Sequence, residues 1–189
     1  MEISIEDLRA DQEERITRTA ELLVAAFVKT SPSAWDIHSA RQEVRESLAP
    51  DRISRVALRH GTEVVGWIGG IPSYHGHVFD LHPLAVRPDM QGQGIGALLV
   101  RDFERIVYER GAATIYLGTD DEDGRTSLSR CDLYDNPQER MANVRNLGRH
   151  PFQFYQKMGY SIVGVLPDAN GPGKPDIFMA KRVPTPFPA

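Results

Sequence analysis

The sequence has 189 residues, of which 41% are apolar and 25% charged, with a formal net charge of −4 at pH 7. These values fit a soluble globular protein with a buried core. They exclude a membrane protein, since no apolar run approaches the ~18 residues of a spanning helix, and the acidic balance argues against nucleic acid as a partner. The acidic N-terminus lacks the features of a secretory signal, and the single cysteine, Cys131, cannot form an internal disulfide. We therefore expect a cytoplasmic protein.

The first half of the chain predicts a strand, two helices and an antiparallel meander. A short strand is expected over residues 3–8. A helix over residues 12–28 is indicated by apolar residues at helical spacing and is ended by Pro32, and a more polar helix follows over residues 38–48. Three strands, over residues 53–59, 64–71 and 78–86, are joined by turns rich in Gly and His.

The second half begins with a glycine-rich loop that opens an amphipathic helix, closed at Gly111. The apolar stripe of this helix is predicted to contain Ile95, Leu98, Leu99, Ile106 and Val107. A strand over residues 114–117 completes a βαβ unit, whose two strands should be parallel. A polar segment then leads to helical material ending near Met158, and strands follow over residues 160–166 and 177–181. We expect one domain over residues 1–183 and a proline-rich tail over residues 184–189.

The glycine-rich loop is the candidate site for a phosphate group. Its residues are Gln91, Gly92, Gln93, Gly94, Ile95, Gly96 and Ala97. Glycines let the backbone approach a ligand, and the free N–H groups and positive dipole end of a helix favour phosphate. The same residues formally satisfy the dinucleotide fingerprint G-x-G-x-x-G/A. However, a Rossmann domain needs repeated βαβ units, whereas the strands before this loop are predicted to form an antiparallel meander, and Pro88 breaks the strand that leads into it. A plain strand-to-helix turn is the remaining structural alternative.

The pattern Gln91-x-x-Gly94-x-Gly96 is also the signature of GNAT acetyltransferases. Further segments resemble the aminoglycoside 6′-N-acetyltransferases of that superfamily: residues 79–84, 116–121, 132–134, 150–160, 164–171 and 174–181. The resemblance implies an α/β GNAT fold, a mixed and centrally splayed β-sheet flanked by helices. It also implies acetyl transfer from acetyl-CoA to the 6′-amine of a polycationic aminoglycoside, by direct attack in a ternary complex, giving antibiotic resistance. A homodimer is expected on the same ground, and no metal.

Pro83 lies inside a strand that should be central, and proline cannot donate a ladder hydrogen bond. It therefore predicts a bulge or a gap in pairing, or else an edge strand. The resemblance implies that the coenzyme's pantetheine arm inserts where the strands splay, bound by Leu84, Ala85 and Val86. A backbone N–H near Leu84 would then polarise the thioester carbonyl.

The amine substrate has candidate partners on several segments. Asp80 and His82 share one face of a strand, and the resemblance links them to positioning the amine and removing its proton. Most enzymes of the resembled subgroup carry Glu in place of Asp80, so a bridging water is an alternative to direct contact. Asp120, in an acidic run, is the candidate for a substrate ammonium, with a solvated loop as the alternative. Trp35 and Tyr74 can stack on sugar rings or simply pack.

Tyr155 stands at the tyrosine of the superfamily's Y-x-x-x-G-F/Y ending, where the resemblance implies the acid that protonates the coenzyme thiolate. The alternative is a core aromatic. The chain has Gly148 where many relatives have an asparagine that contacts the coenzyme, with Asn143 and Asn146 nearby. Cys131 is predicted to be incidental.

Two other functions remain open on the sequence. The same fold can acetylate a polyamine or a protein amine, or it can be a non-catalytic acyl-CoA-binding module. The presence of Asp80, His82 and Tyr155 together speaks against the binding module.

Overall fold

The structure, a computed structural model, describes residues 2–31 and 34–183. The strands are β1 (Ile3–Asp7), β2 (Ile53–Arg59), β3 (Glu63–Ser73), β4 (Val78–Val86), β5 (Thr114–Asp120), β6 (Ser161–Leu166) and β7 (Asp176–Arg182). The helices are α1 (Glu13–Phe27), α2 (Ile37–Glu46), α3 (Ile95–Glu109), α4 (Pro137–Ala142) and α5 (Phe152–Lys157). The predicted tail over residues 184–189, and Pro32 as the stop of the first helix, lie outside the described residues.

The chain divides into two compact units, one containing the described residues up to Ile115 together with Val183, the other containing Tyr116–Arg182. Both combine helices with antiparallel strands, so the predicted α/β class is confirmed. The parallel pairing of β4 with β5 and the central splay of the sheet involve strands on both sides of the boundary between the two compact units, and both stay predictions. So does the single domain over residues 1–183.

In the first unit, β2, β3 and β4 follow one another as antiparallel neighbours, which confirms the predicted meander. Strand β1 pairs antiparallel with β2, a pairing that the sequence did not predict. Helices α1 and α2 cover one face of these strands. Their apolar residues form a buried cluster with side chains of β2, β3 and β4, and at its centre the indole of Trp67 is completely buried. The Trp67 indole N–H donates to Ser54 Oγ at 3.0 Å, so its one polar group is satisfied inside the core.

Helix α3 packs closely on β3 because two glycines leave room for it. A Cβ at Gly66 would lie 2.9 Å from Leu99 Cδ1, and one at Gly70 would overlap the Phe103 ring. The buried stripe of α3 is Ile95, Leu99, Val100, Phe103 and Val107. The inclusion of Leu98 in that stripe was wrong, since its side chain is 41% exposed.

In the second unit, β7 lies between β5 and β6, and β6 pairs antiparallel with β7. The predicted helical material is two short helices, α4 and α5, separated by a loop over residues 143–151. Gly159, with φ +89°, follows α5 in the left-handed conformation that ends a helix, so the helical material ends near Met158 as predicted. Strand β5 runs to Asp120, three residues further than the sequence indicated.

Candidate active site

The glycine-rich loop and the start of α3 form an open site for an anion. Gly94 is the residue before α3 and has φ +86°, Gly92 has φ +76°, and a Cβ on either would meet nothing within 4 Å. The first helical hydrogen bond runs from Leu98 N–H to Gly94 O at 3.1 Å. The preceding N–H groups therefore have no partner within the helix.

Nothing on the helix itself competes for that site. No side chain caps the N-terminus of α3, and its first turn carries no acidic residue. The two glutamines of the loop turn back onto its own backbone, because Gln91 Nε2 donates to Val86 O at 3.1 Å and Gln93 Nε2 donates to Asp89 O at 3.3 Å. A shaped loop with free N–H groups fits the pyrophosphate of a coenzyme.

Arg87 anchors the base of this loop. Its guanidinium donates to Asp89 Oδ1 at 2.6 Å and also pairs with Glu63, which in turn pairs with Arg59. The hydrogen bonds to Asp89 and Glu63 raise the pKa of Arg87 above its ordinary value. The charge of Arg87 is therefore neutralised by ion pairs that hold the loop. The backbone N–H groups at the start of α3 remain as the main groups that can bind an anion.

Strand β4 is interrupted at Pro83, as predicted. Ile68 of β3 pairs with Leu84, but Gly70 pairs with Leu81, so two residues of β4 stand opposite Gly69 alone. A side chain at Gly69 would overlap the carbonyl oxygen of His82. This bulge confirms the sequence prediction of a bulge at Pro83.

Asp80 and His82 lie on the more open side of β4. Phe79, Leu81 and Ala85 are buried, whereas Asp80 is half-buried and His82 is exposed. The alternation agrees with the prediction that the carboxylate and the imidazole share a face.

The structure brings Trp35 to His82. Their ring centroids are 6.2 Å apart and tilted by 42°, while Trp35 also packs against the core cluster beneath α1 and α2. Tyr74 lies in a 3-10 turn between β3 and β4, has φ +50° and is 76% exposed. Its ring is available to a ligand, but its place in the site stays a prediction.

Asp120, in the second unit, is the last residue of β5 and is exposed. Asn170 donates a hydrogen bond to its carboxylate, and the imidazole of His150 contacts its carbonyl oxygen at 3.0 Å. Sequence reasoning assigned no role to either partner. Both lie in segments used for the family resemblance, and only the folded loops bring them to Asp120.

Asp121 does not present its side chain to solvent as the acidic-loop interpretation assumed. It is fully buried, and its carboxylate accepts hydrogen bonds from the backbone N–H groups of Arg125 (2.6 Å) and Thr126 (2.8 Å), and from Ser129 Oγ. Burial raises the pKa of Asp121, but the hydrogen bonds, first that of Ser129, outweigh it and hold the pKa below its usual value. Asp121 therefore organises the loop that follows β5.

Tyr155 lies on α5 and is 7% exposed. Its ring makes edge contacts with Phe154, at 5.0 Å between centroids, and with Tyr160, at 5.6 Å. Burial raises the pKa of the Tyr155 phenol above its ordinary value, so the group keeps its proton.

Two further observations concern metal ions and membranes. Within residues 2–31 and 34–183, no group of three or more His, Cys, Asp or Glu side chains is arranged to hold a metal ion. Among these same residues, no helix is both long and apolar enough to cross a membrane.

One known family matches the chain. The model of the Acetyltransferase (GNAT) family matches residues 16–130, more than half of the chain. The chain belongs to the GNAT acetyltransferase family. This membership confirms the predicted GNAT fold and the expected coenzyme, acetyl-CoA, whereas the binding of that coenzyme by the glycine loop stays a prediction.

Within the GNAT family, the chain is similar to solved structures of aminoglycoside 6′-acetyltransferases. An aminoglycoside 6′-N-acetyltransferase complexed with coenzyme A is 41% identical over 98% of this chain and 99% of that one, with a TM-score of 0.90. The aminoglycoside 6′-N-acetyltransferase from Enterococcus faecium is 41% identical over the same shares, with a TM-score of 0.88. An aminoglycoside 6′-acetyltransferase type Ii is 34% identical over 98% and 99%, with a TM-score of 0.73. No curated protein matches the chain significantly.

Proposed function

We propose that this GNAT enzyme transfers the acetyl group of acetyl-CoA to the 6′-amine of aminoglycoside antibiotics. The observation that carries the proposal is its 41% identity, over 98% of its length, to enzymes named for that activity. The loop at α3 supports it, because the site has the free N–H groups and the space that a coenzyme pyrophosphate requires.

The coenzyme is held by main-chain groups on this proposal. Gln91 to Ala97 surround the pyrophosphate, with the N-terminal N–H groups of α3 facing its charge. Leu84, Ala85 and Val86 bind the pantetheine arm beyond the bulge at Pro83. The bound coenzyme supplies an activated acetyl thioester, and a backbone N–H near Leu84 withdraws charge from its carbonyl oxygen.

Asp80 and His82 prepare the amine. An alkyl ammonium must lose a proton before it can attack, at a cost of about 1.4 kcal/mol for each pH unit below its pKa. A carboxylate and an imidazole on one open face can accept that proton, directly or through a water. Because Trp35 lies against His82, its ring offers an apolar surface on which a sugar ring can stack at the same place.

Asp120 and Tyr155 supply the remaining roles. The exposed carboxylate of Asp120, oriented by Asn170, pairs with a substrate ammonium. Tyr155, whose phenol carries a proton at neutral pH, donates that proton to the departing thiolate. Direct attack in a ternary complex needs no covalent enzyme intermediate, and Cys131 has no role in it.

We propose further that the enzyme works in the cytoplasm as a homodimer and confers antibiotic resistance. The support for the dimer is β6, the end strand of the order β5, β7, β6, on which Val163 is 58% and Leu166 49% exposed. Apolar side chains on an end strand favour pairing with a second copy. Light scattering of the purified enzyme tests the dimer, and growth of cells expressing it on aminoglycosides tests resistance.

A thiol-release assay with acetyl-CoA tests the proposed activity. The acceptors are aminoglycosides with a 6′-amine, linear polyamines and peptides with a free N-terminal or lysine amine. We expect kcat/KM to be highest on the aminoglycosides. A higher kcat/KM on polyamines or peptides would show that the enzyme acts on another class of acceptor. Coenzyme binding without turnover on any amine would show that the protein is a binding module.

A further inference from the structure

His150 is a buried polar residue to which the proposed reaction assigns no role. Its side chain is 2% exposed, and both ring nitrogens are engaged. Nε2 lies 3.0 Å from the carbonyl oxygen of Asp120, and Nδ1 accepts from the backbone N–H of Phe152 at 3.3 Å. Because a carbonyl only accepts and an N–H only donates, these partners select the neutral tautomer that carries its proton on Nε2.

The two partners of the ring belong to two functional segments. Asp120 ends β5 and carries the carboxylate proposed for the substrate ammonium. Phe152 is the first residue of α5, which carries Tyr155. The residue before α5 is Pro151, which has no side-chain hydrogen-bonding group and gives no cap. His150 therefore takes the place of a capping side chain on the helix that holds the proposed acid.

A second set of hydrogen bonds fixes the backbone of His150. Asn146 Oδ1 accepts from His150 N–H at 2.8 Å, and Asn146 Nδ2 donates to His150 O at 2.8 Å. Asn146 Oδ1 also accepts from Gly148 N–H at 3.2 Å. Hydrogen bonds therefore fix both the backbone of His150 and its two ring nitrogens. A side chain held in this way can keep the two segments that it contacts in fixed positions.

We infer that His150 is a positioning residue that holds the Asp120 backbone and the start of α5 at a fixed separation. His150 thereby sets the position of Asp120, the proposed partner of the substrate ammonium, relative to Tyr155, the proposed acid that protonates the thiolate. This inference rests on the proposed roles of Asp120 and Tyr155. It predicts that the two hydrogen bonds of one ring act on two different kinetic constants.

The surroundings keep the ring neutral at neutral pH. Burial lowers the pKa of His150, although the hydrogen bond to Asp120 O opposes this. Of the charged groups around it, Asp121 and Asp123 favour protonation and Arg125 disfavours it. Protonation at Nδ1 would place an N–H against the Phe152 N–H and break the contact with α5.

Two substitutions separate the two contacts. In His150→Asn, the amide oxygen can still accept from the N–H two residues on, as asparagine does in turns, but the donor to Asp120 O is lost. In His150→Gln, the longer side chain can still present an amide N–H to Asp120 O, but the acceptor for Phe152 is lost. His60→Asn is the matched control, because His60 is exposed in the β2–β3 turn and has φ +50°, which asparagine tolerates.

The measurement is steady-state kinetics of acetyl transfer to an aminoglycoside with a 6′-amine, with folding of each variant checked by circular dichroism. We expect His150→Asn to raise KM for the amine about tenfold with kcat within about twofold. His150→Gln should lower kcat about tenfold with KM within about twofold. Tenfold is the upper range for one neutral hydrogen bond. KM for acetyl-CoA should be unchanged in both variants, and His60→Asn should match the wild-type enzyme throughout.

Wild-type kinetic constants in both folded variants would overturn the inference and leave the proposed function standing. So would equal losses of kcat and of amine affinity in the two variants, since these indicate a general structural role. If the wild-type enzyme transferred acetyl to no aminoglycoside, the proposed function would fail first and the positioning role would fail with it.

Discussion

Gly94 is the residue at which the coenzyme site should be most sensitive to a single methyl group. Its φ of +86° is left-handed, and a residue with a Cβ pays about 1–2 kcal/mol there. A Cβ at Gly94 meets nothing within 4 Å, so Gly94→Ala adds backbone strain to the free protein but no overlap. We expect the free energy of unfolding to fall by about 1–2 kcal/mol and the Tm by about 2–8 °C.

Gly111 supplies a matched control at the other end of the same helix. It has φ +77°, and a Cβ there also meets nothing within 4 Å. Gly111→Ala should therefore cost about the same stability. Only at position 94 would the methyl group stand among the N–H groups proposed for the pyrophosphate, so only Gly94→Ala should weaken coenzyme binding, by more than about tenfold.

Isothermal titration with coenzyme A compares the two variants with the wild-type enzyme, and thermal unfolding shows whether their strain is matched. Dissociation constants equal to that of the wild-type enzyme in both variants, at matched loss of Tm, would refute the placement of the pyrophosphate at the start of α3. An equal weakening in both variants would mean that helix stability, and not contact, governs binding.

Three further predictions concern titratable side chains. Tyr155→Phe should lower kcat at least tenfold while leaving the Kd of coenzyme A within about twofold, because the phenol acts on the leaving thiolate. An unchanged kcat would show that Tyr155 is not the acid. Asp80→Asn should lower kcat/KM for the amine and shift its pH profile, and an identical profile would contradict proton transfer through Asp80. Asp121→Asn should lower the free energy of unfolding by about 2–3 kcal/mol, since an amide cannot accept all three hydrogen bonds; chemical denaturation measures it. Because the pKa of Asp121 is depressed on folding, that difference should be present at neutral pH and shrink as pH falls through the folded pKa.

Local rules were sufficient where one residue dictates the backbone. Pro83 predicted the bulge in β4, because a proline cannot take part in the ladder, and the shifted pairing of Gly70 confirms it. The glycine spacing from Gly92 to Gly96 predicted a turn into a helix with an open N-terminus, which the φ values of Gly92 and Gly94 bear out. The pairing of β2, β3 and β4 followed from their alternation and the turns between them.

Contacts formed only in the folded chain decided what the sequence pattern could not. Asp121 belongs to an acidic run that is typical of a solvated loop, yet three hydrogen bonds from residues four to eight positions later bury it. The role of His150 depends on β5, which is 30 residues away in the chain. Leu98 fits a helical stripe by spacing, but the closest packing of α3 is at the glycines of β3, and Leu98 lies outside that contact.

The identity of the acetylated amine tests the central claim most directly. Two aminoglycosides that differ only in a 6′-amine or a 6′-hydroxyl are incubated with the enzyme and acetyl-CoA, and the products are analysed by mass spectrometry and NMR. We expect one acetyl group on the 6′-nitrogen of the first compound and no acetylation of the second. Acetylation of both compounds at another amine, or of neither, would contradict the proposed function.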